Sequence, residues 1–408
     1  MALCLFEDDR VASLAPLALT RGVYDLRVGA RTLAEAAVDV FPPSPLVLHA
    51  RAAVAGMVAE EHPGVAVNRA TETGTLFLNG RWLARDGDLA QAIRDAGRSG
   101  EARAFVQDGA LVALWHPDPP ARLVAGDAVT AADAEGIPTE SVTGEPLVTH
   151  LWDLIDDLGA RIAHDAGRLG GLGEIAGTVE GGAVVVDRGN VHVASGATIR
   201  AGAVVSGADG PVWIGPGATV GENAVVRGPV VLGPKATVNP AARVDESAIG
   251  YWSKVGGEVH GSVVHSLSSK GHDGYLGNSY LGRWCNLGAD TNASNLKNDY
   301  GEVTVWDAGV GEFVASGRQF AGLFMGDHSK CSINTMFNTG TVVGVFCNLF
   351  GSGFPPRYVP DFSWGGAEGL AAYRPEKAFR VAEAVMARRG RELTDAERAT
   401  LAGIAAGR

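Results

Sequence analysis

Aliphatic residues recur every six positions through a long internal stretch: Ile214, Val220, Val226, Leu232, Val238 and Val244, with Val193, Ile199 and Val205 ahead of them. Helices repeat at 3.6 residues and ordinary strands at 2, so neither produces this period. Gly follows three of these positions, at Gly215, Gly221 and Gly233. Small residues sit four later at Ala218, Ala224, Ala236, Ala242 and Ala248. A second run follows at Met325, Cys331, Phe337, Val343 and Leu349. Each hexapeptide reads as one short strand and a turn, and three of them close a triangular coil of about 18 residues. The aliphatic side chain points inward and stacks on its counterpart in the next coil. Ala fits the tight corner, and Gly supplies a turn conformation that other residues adopt only at a cost. The same architecture explains 56 glycines in 408 residues, far above the usual share of about 7%. The pattern predicts a left-handed parallel β-helix of hexapeptide repeats over 183–355. Two interruptions are visible. Ser206–Val212 adds three residues, and Ala289–Phe324 breaks the period further. The second reads as one or two loops projecting from a corner, where long loops are usually functional.

The flanks differ. Residues 1–145 carry short apolar clusters, PLVLH at 45–49 and TLFLN at 75–79, between helical stretches. They predict an α/β domain. Residues 146–182 read as a helical linker, with Leu151, Leu154, Ile155, Leu158 and Ile162 at helical spacing. Residues 356–408 read as a C-terminal helical extension. Ala378, Val381, Ala382 and Val385 share a face there, and T-D-A-E at 394–397 is a helix start.

Charge and cysteine content narrow the classes of function. A net charge of −12 argues against a nucleic-acid-binding surface. Cys4, Cys285, Cys331 and Cys347 show no disulfide or zinc-knuckle spacing, so a reduced, cytoplasmic protein is expected. The first residues turn acidic too early for a signal peptide. No apolar run approaches the roughly 20 residues that span a bilayer, so no membrane partner is expected.

Departures from the repeat point to chemistry. Lys270–Tyr300 contains His272, Tyr275, Asn295 and Lys297 among hexapeptide units. Asn295 follows His272 by 23 residues, a little over one coil, which predicts that the two side chains meet near one corner. An imidazole, with an ordinary pKa near 6.5, suits a general base at neutral pH. Transfer of an acyl group to an amine also needs donors for an oxyanion.

The segment HDGYLGNSYLGRWCNLGADTNASNLKND (272–299) resembles the acetyltransferase half of the bifunctional enzymes that make UDP-N-acetylglucosamine. Their H-x-x-Y-L-G motif matches His272–Gly277, and N-x-G-x-x-T matches Asn286–Thr291. The chain is still more similar to a bacterial variant group, the GlmU-like sugar nucleotidyltransferases. LAPLALTRGVYDLRVG (14–29), SNLKNDYGEVTVW (294–306) and MGDHSKCSINTMFNTGTVVGVFCNLFGSGFP (325–355) carry that likeness. The resemblance implies an N-acetyltransferase acting on an amino-sugar 1-phosphate, with glucosamine-1-phosphate favoured, in nucleotide-sugar biosynthesis. It implies acetyl-CoA as co-substrate, held between neighbouring subunits of a homotrimer. His272 would be the general base. Tyr275, Asn295 and Lys297 would contact substrate, and His328 and Lys330 acetyl-CoA or its phosphates. The N-terminal domain would be a truncated nucleotidyltransferase, with Arg21 and Arg27 to grip phosphates, and with UTP and Mg²⁺ needed only if it is active. In place of a Gly-rich phosphate loop the chain has LCLFEDDRVASLAPLALTRGVYDLRVG (3–29), which predicts weak or absent uridylyl transfer.

Plainer readings compete. Arg21, Asp25 and Arg27 read as a structural ion cluster, and Glu7, Asp8 and Asp9 as a solvated turn in preference to a metal site. A scaffold that only binds a sugar nucleotide is the second class of function. The third is a β-helical zinc enzyme of carbonic anhydrase type, suggested by His260 and His265. It lacks a third histidine at the required place, so no metal is expected.

Overall fold

The computed structural model describes residues 2–42, 45–69, 74–120 and 129–407. They form two compact units. One comprises residues up to Leu26, Arg31–His150 and Thr394–Ile404; the other comprises Arg27–Ala30, Leu151–Leu393 and the last residues.

The first unit is an α/β domain around one sheet. Among the described residues its strands run β1 (Ala2–Phe6), β2 (Leu46–Leu48), β3 (Ala66–Val67), β4 (Thr75–Asn79), β5 (Arg103–Gln107), β6 (Ala110–His116) and β7 (Thr139–Ser141). Their order in space is β3-β2-β1-β4-β6-β5-β7. β1 is parallel to β2 and β4, while β6 runs against β4 and β5. All five residues of β1 are buried, as expected for a strand covered on both faces. Helix α1 (Leu33–Val40) opens with a capping box, Thr32 and Glu35 each bonding the other's backbone N–H. Helices α2 (Ala52–Glu61) and α3 (Asp88–Ser99) follow.

The second unit is the left-handed β-helix. Its three faces hold, among the described residues, nine, eleven and eight strands, all parallel except the last of the eleven, Gly369–Ala372. Face one begins at Val191–Val193, face two at Thr178–Val179 and face three at Val184–Val186. The six-residue aliphatic positions form one continuous core: Ile214, Val220, Val226, Leu232 and Val238 are all fully buried. The corner alanines Ala218, Ala224, Ala236 and Ala242 are fully buried as well.

The boundaries read from sequence need correction. Strands extend the β-helix beyond 183–355 at both ends. Thr178–Val179 precedes it, and Tyr358–Val359 and Ser363–Gly366 add to faces one and two. Ser363–Gly366 then folds back on Gly369–Ala372. Residues 356–408 are therefore not one helical extension. Helix α5 (Pro375–Ala387) belongs to the β-helix unit, while most of α6 (Asp395–Ala406) belongs to the first unit. There Thr400 donates to the Ala53 carbonyl at 2.8 Å. Gly56 on α2 makes room, because a Cβ would lie 3.1 Å from that of Ala396. The linker helix is also shorter than expected. A 3₁₀ turn at Leu151–Leu154 and α4 (Leu158–Leu169) are separated by Asp157, whose φ is +48°.

The second interruption is narrower than Ala289–Phe324. Asn292–Ala293 still pairs on face three, and the excursion spans 294–322. It contains a hairpin, Thr304–Asp307 against Glu312–Ala315. Trp306 of that hairpin stacks on Tyr358 at 4.1 Å, so the excursion is packed against the coils.

The corner between faces one and two carries bulky residues in the left-handed region: Trp252, Trp284, His328, Phe346 and Phe362, with φ from +50° to +61°. Side chains seldom adopt this conformation. Here the backbone N–H groups of Trp252, His328, Phe346 and Phe362 each bond a carbonyl of a preceding coil, and the rings stack. His328 lies 4.5 Å from Phe346, and Phe346 lies 5.1 Å from Phe362. Phe379 of α5 packs edge-on against Phe346 and Phe362, which seats α5 along this corner.

Candidate functional site

His272 lies in the turn between face two and face three, directly before the strand Tyr275–Gly277. Its side chain is exposed and has no hydrogen-bond partner among the described residues. The turn that carries it is fixed from within. The preceding residues Ser269–Lys270 form a face-two strand, registered so that Lys270 follows Val255 in the inward stack. Lys270 thus occupies a core position and is 1% exposed. Its ammonium donates to the carbonyls of Gly256 (3.0 Å), His272 (2.6 Å) and Asp273 (3.2 Å). Three donors meet three acceptors, so the buried charge is satisfied while it clamps the turn.

Burial draws the Lys270 pKa down to about 8. An unfolded lysine titrates near 10.4. Between those values the unfolded chain holds a proton that the folded chain has released, so this group makes stability rise with pH across the window. Lys270→Met should keep the core filled but remove that rise, a difference on the order of 1–3 kcal/mol. It should also lower turnover roughly tenfold by releasing the His272 turn, because a misplacement of about 1 Å can cost as much or more. Unfolding by urea at pH 7 and pH 10 checks the first effect and steady-state kinetics the second. Unchanged kinetics would mean that the clamp does not position His272.

Tyr275 begins the next strand and is half-buried. Its backbone N–H donates to Asn292 Oδ1 at 2.9 Å. Its ring lies over Gly277, where a Cβ would come within 2.3 Å of the hydroxyl. Only Gly leaves space for the ring there. Burial raises the Tyr275 pKa, so the hydroxyl is held protonated. Asn295 Nδ2 donates to Tyr275 Oη at 3.0 Å and to Asn278 Oδ1 at 2.7 Å.

This corrects the expectation that His272 and Asn295 meet at one corner. Face-three register pairs Leu276 with Ala293. Asn295 therefore sits beside Asn278, past the strand, whereas His272 precedes the strand. The two flank Tyr275 from opposite ends. Both Asn295 amide hydrogens are also committed, so Asn295 positions Tyr275 and has no donor left for an oxyanion.

Sequence reasoning missed the charged rows on the outside of face three. Register places Arg243, Glu258 and Tyr275 in one row, and Arg227, Asp245, His260 and Gly277 in the next. Arg227 pairs with Asp245 at 2.8 Å, and His260 Nδ1 lies 2.7 Å from Asp245. The hydrogen bond to Asp245 raises the His260 pKa. The available signal was polar residues flanking each inward aliphatic of face three, as in R-V-D at 243–245 and E-V-H at 258–260.

The other sequence candidates lie elsewhere. Lys297 donates to the Glu302 carbonyl at 3.0 Å, within the excursion. His328 is buried in the corner stack, and Lys330 is on face two. His260 is on face three but His265 is on face one, so they do not converge. No group of three metal-binding side chains occurs among the described residues. Arg21 is fully buried in the first unit. Asp25 takes the His62 imidazole at 2.8 Å. Arg27 lies in the second unit, where its backbone N–H donates to Tyr280 Oη at 3.0 Å.

Glu7 and Asp8 are not a solvated turn. Both are buried. Glu7 pairs with Arg51 at 2.5 Å and Asp8 with Arg81 at 2.6 Å. Their partners are far away in sequence, which is why the acidic run looked solvated. Asp9 is exposed. These residues border a cavity of about 350 Å³ that also has His49, Ala15 and Leu19 in its lining. No helix is long and apolar enough to cross a membrane among the described residues.

Comparison with known proteins adds to this geometry. Residues 3–170 match the family described as sugar nucleotidyl transferase. A bifunctional sugar-1-phosphate nucleotidylyltransferase/acetyltransferase from Sulfurisphaera tokodaii is 29% identical over 130 residues, 32% of this chain and 28% of that protein. The bifunctional protein GlmU of Methanococcus vannielii is 32% identical over 114 residues, 28% of this chain and 26% of that protein. The matches thus span little more than a quarter of each relative. A solved UDP-N-acetylglucosamine acyltransferase from Francisella novicida has 13% identity, covering 55% of this chain and 90% of that one, with a TM-score of 0.24. That score is too low to support an inference about substrate. The start of the chain thus carries a sugar nucleotidyl transferase match, and the chain is similar over 32% and 28% of its length to two bifunctional proteins.

Proposed function

We propose that the β-helix transfers an acetyl group from acetyl-CoA to the amine of an amino-sugar 1-phosphate, with glucosamine-1-phosphate the first acceptor to test. The observation that carries this reading is the His272 turn. An exposed imidazole stands on a turn clamped by a buried ammonium, directly before Tyr275 and beside the charged rows of face three. The acceptor amine loses a proton to the imidazole and attacks the thioester carbonyl. The new N–C bond forms as the C–S bond breaks, and the sulfur leaves as the CoA thiol after taking up a proton. The likeness to two bifunctional relatives supports the same reaction class.

The N-terminal unit contributes little or no uridylyl transfer in this reading. Glu7 and Asp8 are tied to Arg51 and Arg81, and Arg21 is buried. UTP and Mg²⁺ enter only if that unit is active. One assay separates the halves: full-length protein with acetyl-CoA, glucosamine-1-phosphate, UTP and Mg²⁺, with products read by mass spectrometry. N-acetylglucosamine-1-phosphate without UDP-N-acetylglucosamine is the expected result. Absence of acetylated product across amino-sugar phosphates would leave the scaffold that only binds a sugar nucleotide.

The β-helix is proposed to assemble as a homotrimer. Val184, Val186 and Met336 on face three are each about 40–50% exposed, and closed symmetry is the usual way to cover such a face. Light scattering should give about three times the 42.2 kDa chain mass; a monomer at micromolar concentration would refute it.

A further inference from the structure

We propose that Asn278 is a positioning residue for the acceptor: it fixes which way the Asn295 amide faces, and so sets the hydrogen-bonding polarity that the Tyr275–Asn295 pair offers to substrate. The substrate rests on the acyl-transfer reading; the geometry does not.

An amide carries two donors on one arm and an acceptor on the other, so turning it over exchanges them without changing its shape. Asn295 Nδ2 spends one hydrogen on Tyr275 Oη at 3.0 Å and the other on Asn278 Oδ1 at 2.7 Å. Asn295 Oδ1 accepts no hydrogen bond among the described residues, and the Tyr275 hydroxyl, already an acceptor, donates none. The pair therefore presents an acceptor and an O–H donor side by side. A sugar hydroxyl fits such a pair, donating to Asn295 Oδ1 and accepting from Tyr275. Asn278 makes the choice. Were its Nδ2 turned toward Asn295, the Asn295 carbonyl would face inward and take the Tyr275 proton. The pair would then present an N–H donor and a phenol oxygen, the opposite polarity.

Asn278 is itself held from several sides. It stands at the corner after face three with φ +43°, a left-handed conformation that Asn adopts more readily than most residues. Its backbone N–H donates to the His260 carbonyl at 2.9 Å, and its carbonyl accepts from the Gly322 N–H at 2.8 Å. Its Nδ2 lies toward Gly261 in the coil before, where a Cβ would come within 2.8 Å of it. The returning end of the excursion braces both asparagines. Ala321, directly before Gly322, donates its N–H to the Asn295 carbonyl at 3.0 Å. A Cβ on Gly322 would collide with the Gly277 carbonyl oxygen, so this close approach requires Gly.

Two variants of the full-length protein test the proposal. Asn278→Gly removes the acceptor and suits the left-handed backbone. Asn278→Asp keeps the acceptor and, ionised at neutral pH, cannot donate. Kinetics with glucosamine-1-phosphate and acetyl-CoA, at about 0.5 M salt to screen the added charge, should show a raised acceptor KM in Asn278→Gly. The rise should be about three- to tenfold, the worth of one hydrogen bond, with kcat and the acetyl-CoA KM within about twofold of the wild type. Asn278→Asp should bring the acceptor KM back to within about twofold. A second readout needs no turnover. The difference in ultraviolet titration between each protein and its Tyr275→Phe counterpart isolates the Tyr275 phenol. Burial raises its pKa and the Asn295 hydrogen bond opposes that rise. In Asn278→Gly the amide is free to turn, so the phenol should titrate at higher pH, by about half a pH unit or more. If no amino-sugar phosphate is acetylated, the acyl-transfer reading fails and the titration still judges Asn278. The proposal is overturned if Asn278→Asp raises the acceptor KM as much as Asn278→Gly does. It is overturned equally if Asn278→Gly changes KM for both substrates or for neither, or if its Tyr275 titration matches the wild type.

Discussion

His272→Ala is expected to lower kcat for acetyl transfer by about 10²–10⁴-fold, the usual contribution of a general base. The amine of an amino-sugar phosphate is mostly protonated at neutral pH and must lose a proton before it attacks. His272 is the histidine on the clamped turn before Tyr275. Because it is exposed and its side chain bonds nothing among the described residues, its removal should leave the melting temperature within about 1 °C, as surface changes usually do. A stable variant acetylating glucosamine-1-phosphate at the wild-type rate would remove His272 from the mechanism. Asn295→Ala should behave differently. Asn295 is buried and bonds Tyr275 and Asn278. Its loss frees the Tyr275 hydroxyl, so KM for the acceptor should rise several-fold and stability should fall by about 1–2 kcal/mol.

The second large effect concerns stability. Arg81 is fully buried in the first unit. Its Nε and Nη2 donate to the two carboxylate oxygens of Asp8 at 2.8 and 2.6 Å, and Nη1 donates to the Val148 carbonyl at 2.8 Å. Asn79 adds a bond to Asp8 at 2.9 Å. Arg81→Ala leaves the Asp8 charge buried with that one side-chain donor, which should cost about 3–5 kcal/mol. A domain is typically stable by only about 5–15 kcal/mol, so the first unit should melt well below its normal temperature. Calorimetry should show the β-helix transition retained. Arg81→Lys should restore part of the loss, because an ammonium supplies charge but not the planar fork. Asp8→Asn/Arg81→Met should be less damaging than Arg81→Ala, because it removes both charges. If Arg81→Ala melts like the wild type, the pair contributes nothing net.

The β-helix was legible because its physics is local and repetitive. Each inward aliphatic must stack on the next, so Val220, Val226 and Leu232 carry the period in plain view. The motif H-x-x-Y-L-G was legible for a similar reason, since His272, Tyr275 and Gly277 act within six residues of one another. The strand ends of the coil stack were not, because Thr178–Val179 and Tyr358–Val359 are only two residues long and are defined by pairing.

What the sequence by itself determined was the repeat, its core and the turn that bears His272. What only the tertiary structure decided was every contact set by register. Val238 pairs with Val255 and Val255 with Lys270, coils of 17 and then 15 residues. The six-residue count fails there, so the period does not reveal that Lys270 occupies a core position. Asn295 was assigned to the corner of His272 by counting residues, and pairing moved it beside Asn278. The partners of Glu7 and Asp8 stand 44 and 73 residues away, a separation that no local pattern encodes. Buried polar groups are satisfied by whichever donors the fold brings to them, and that choice belongs to three-dimensional packing.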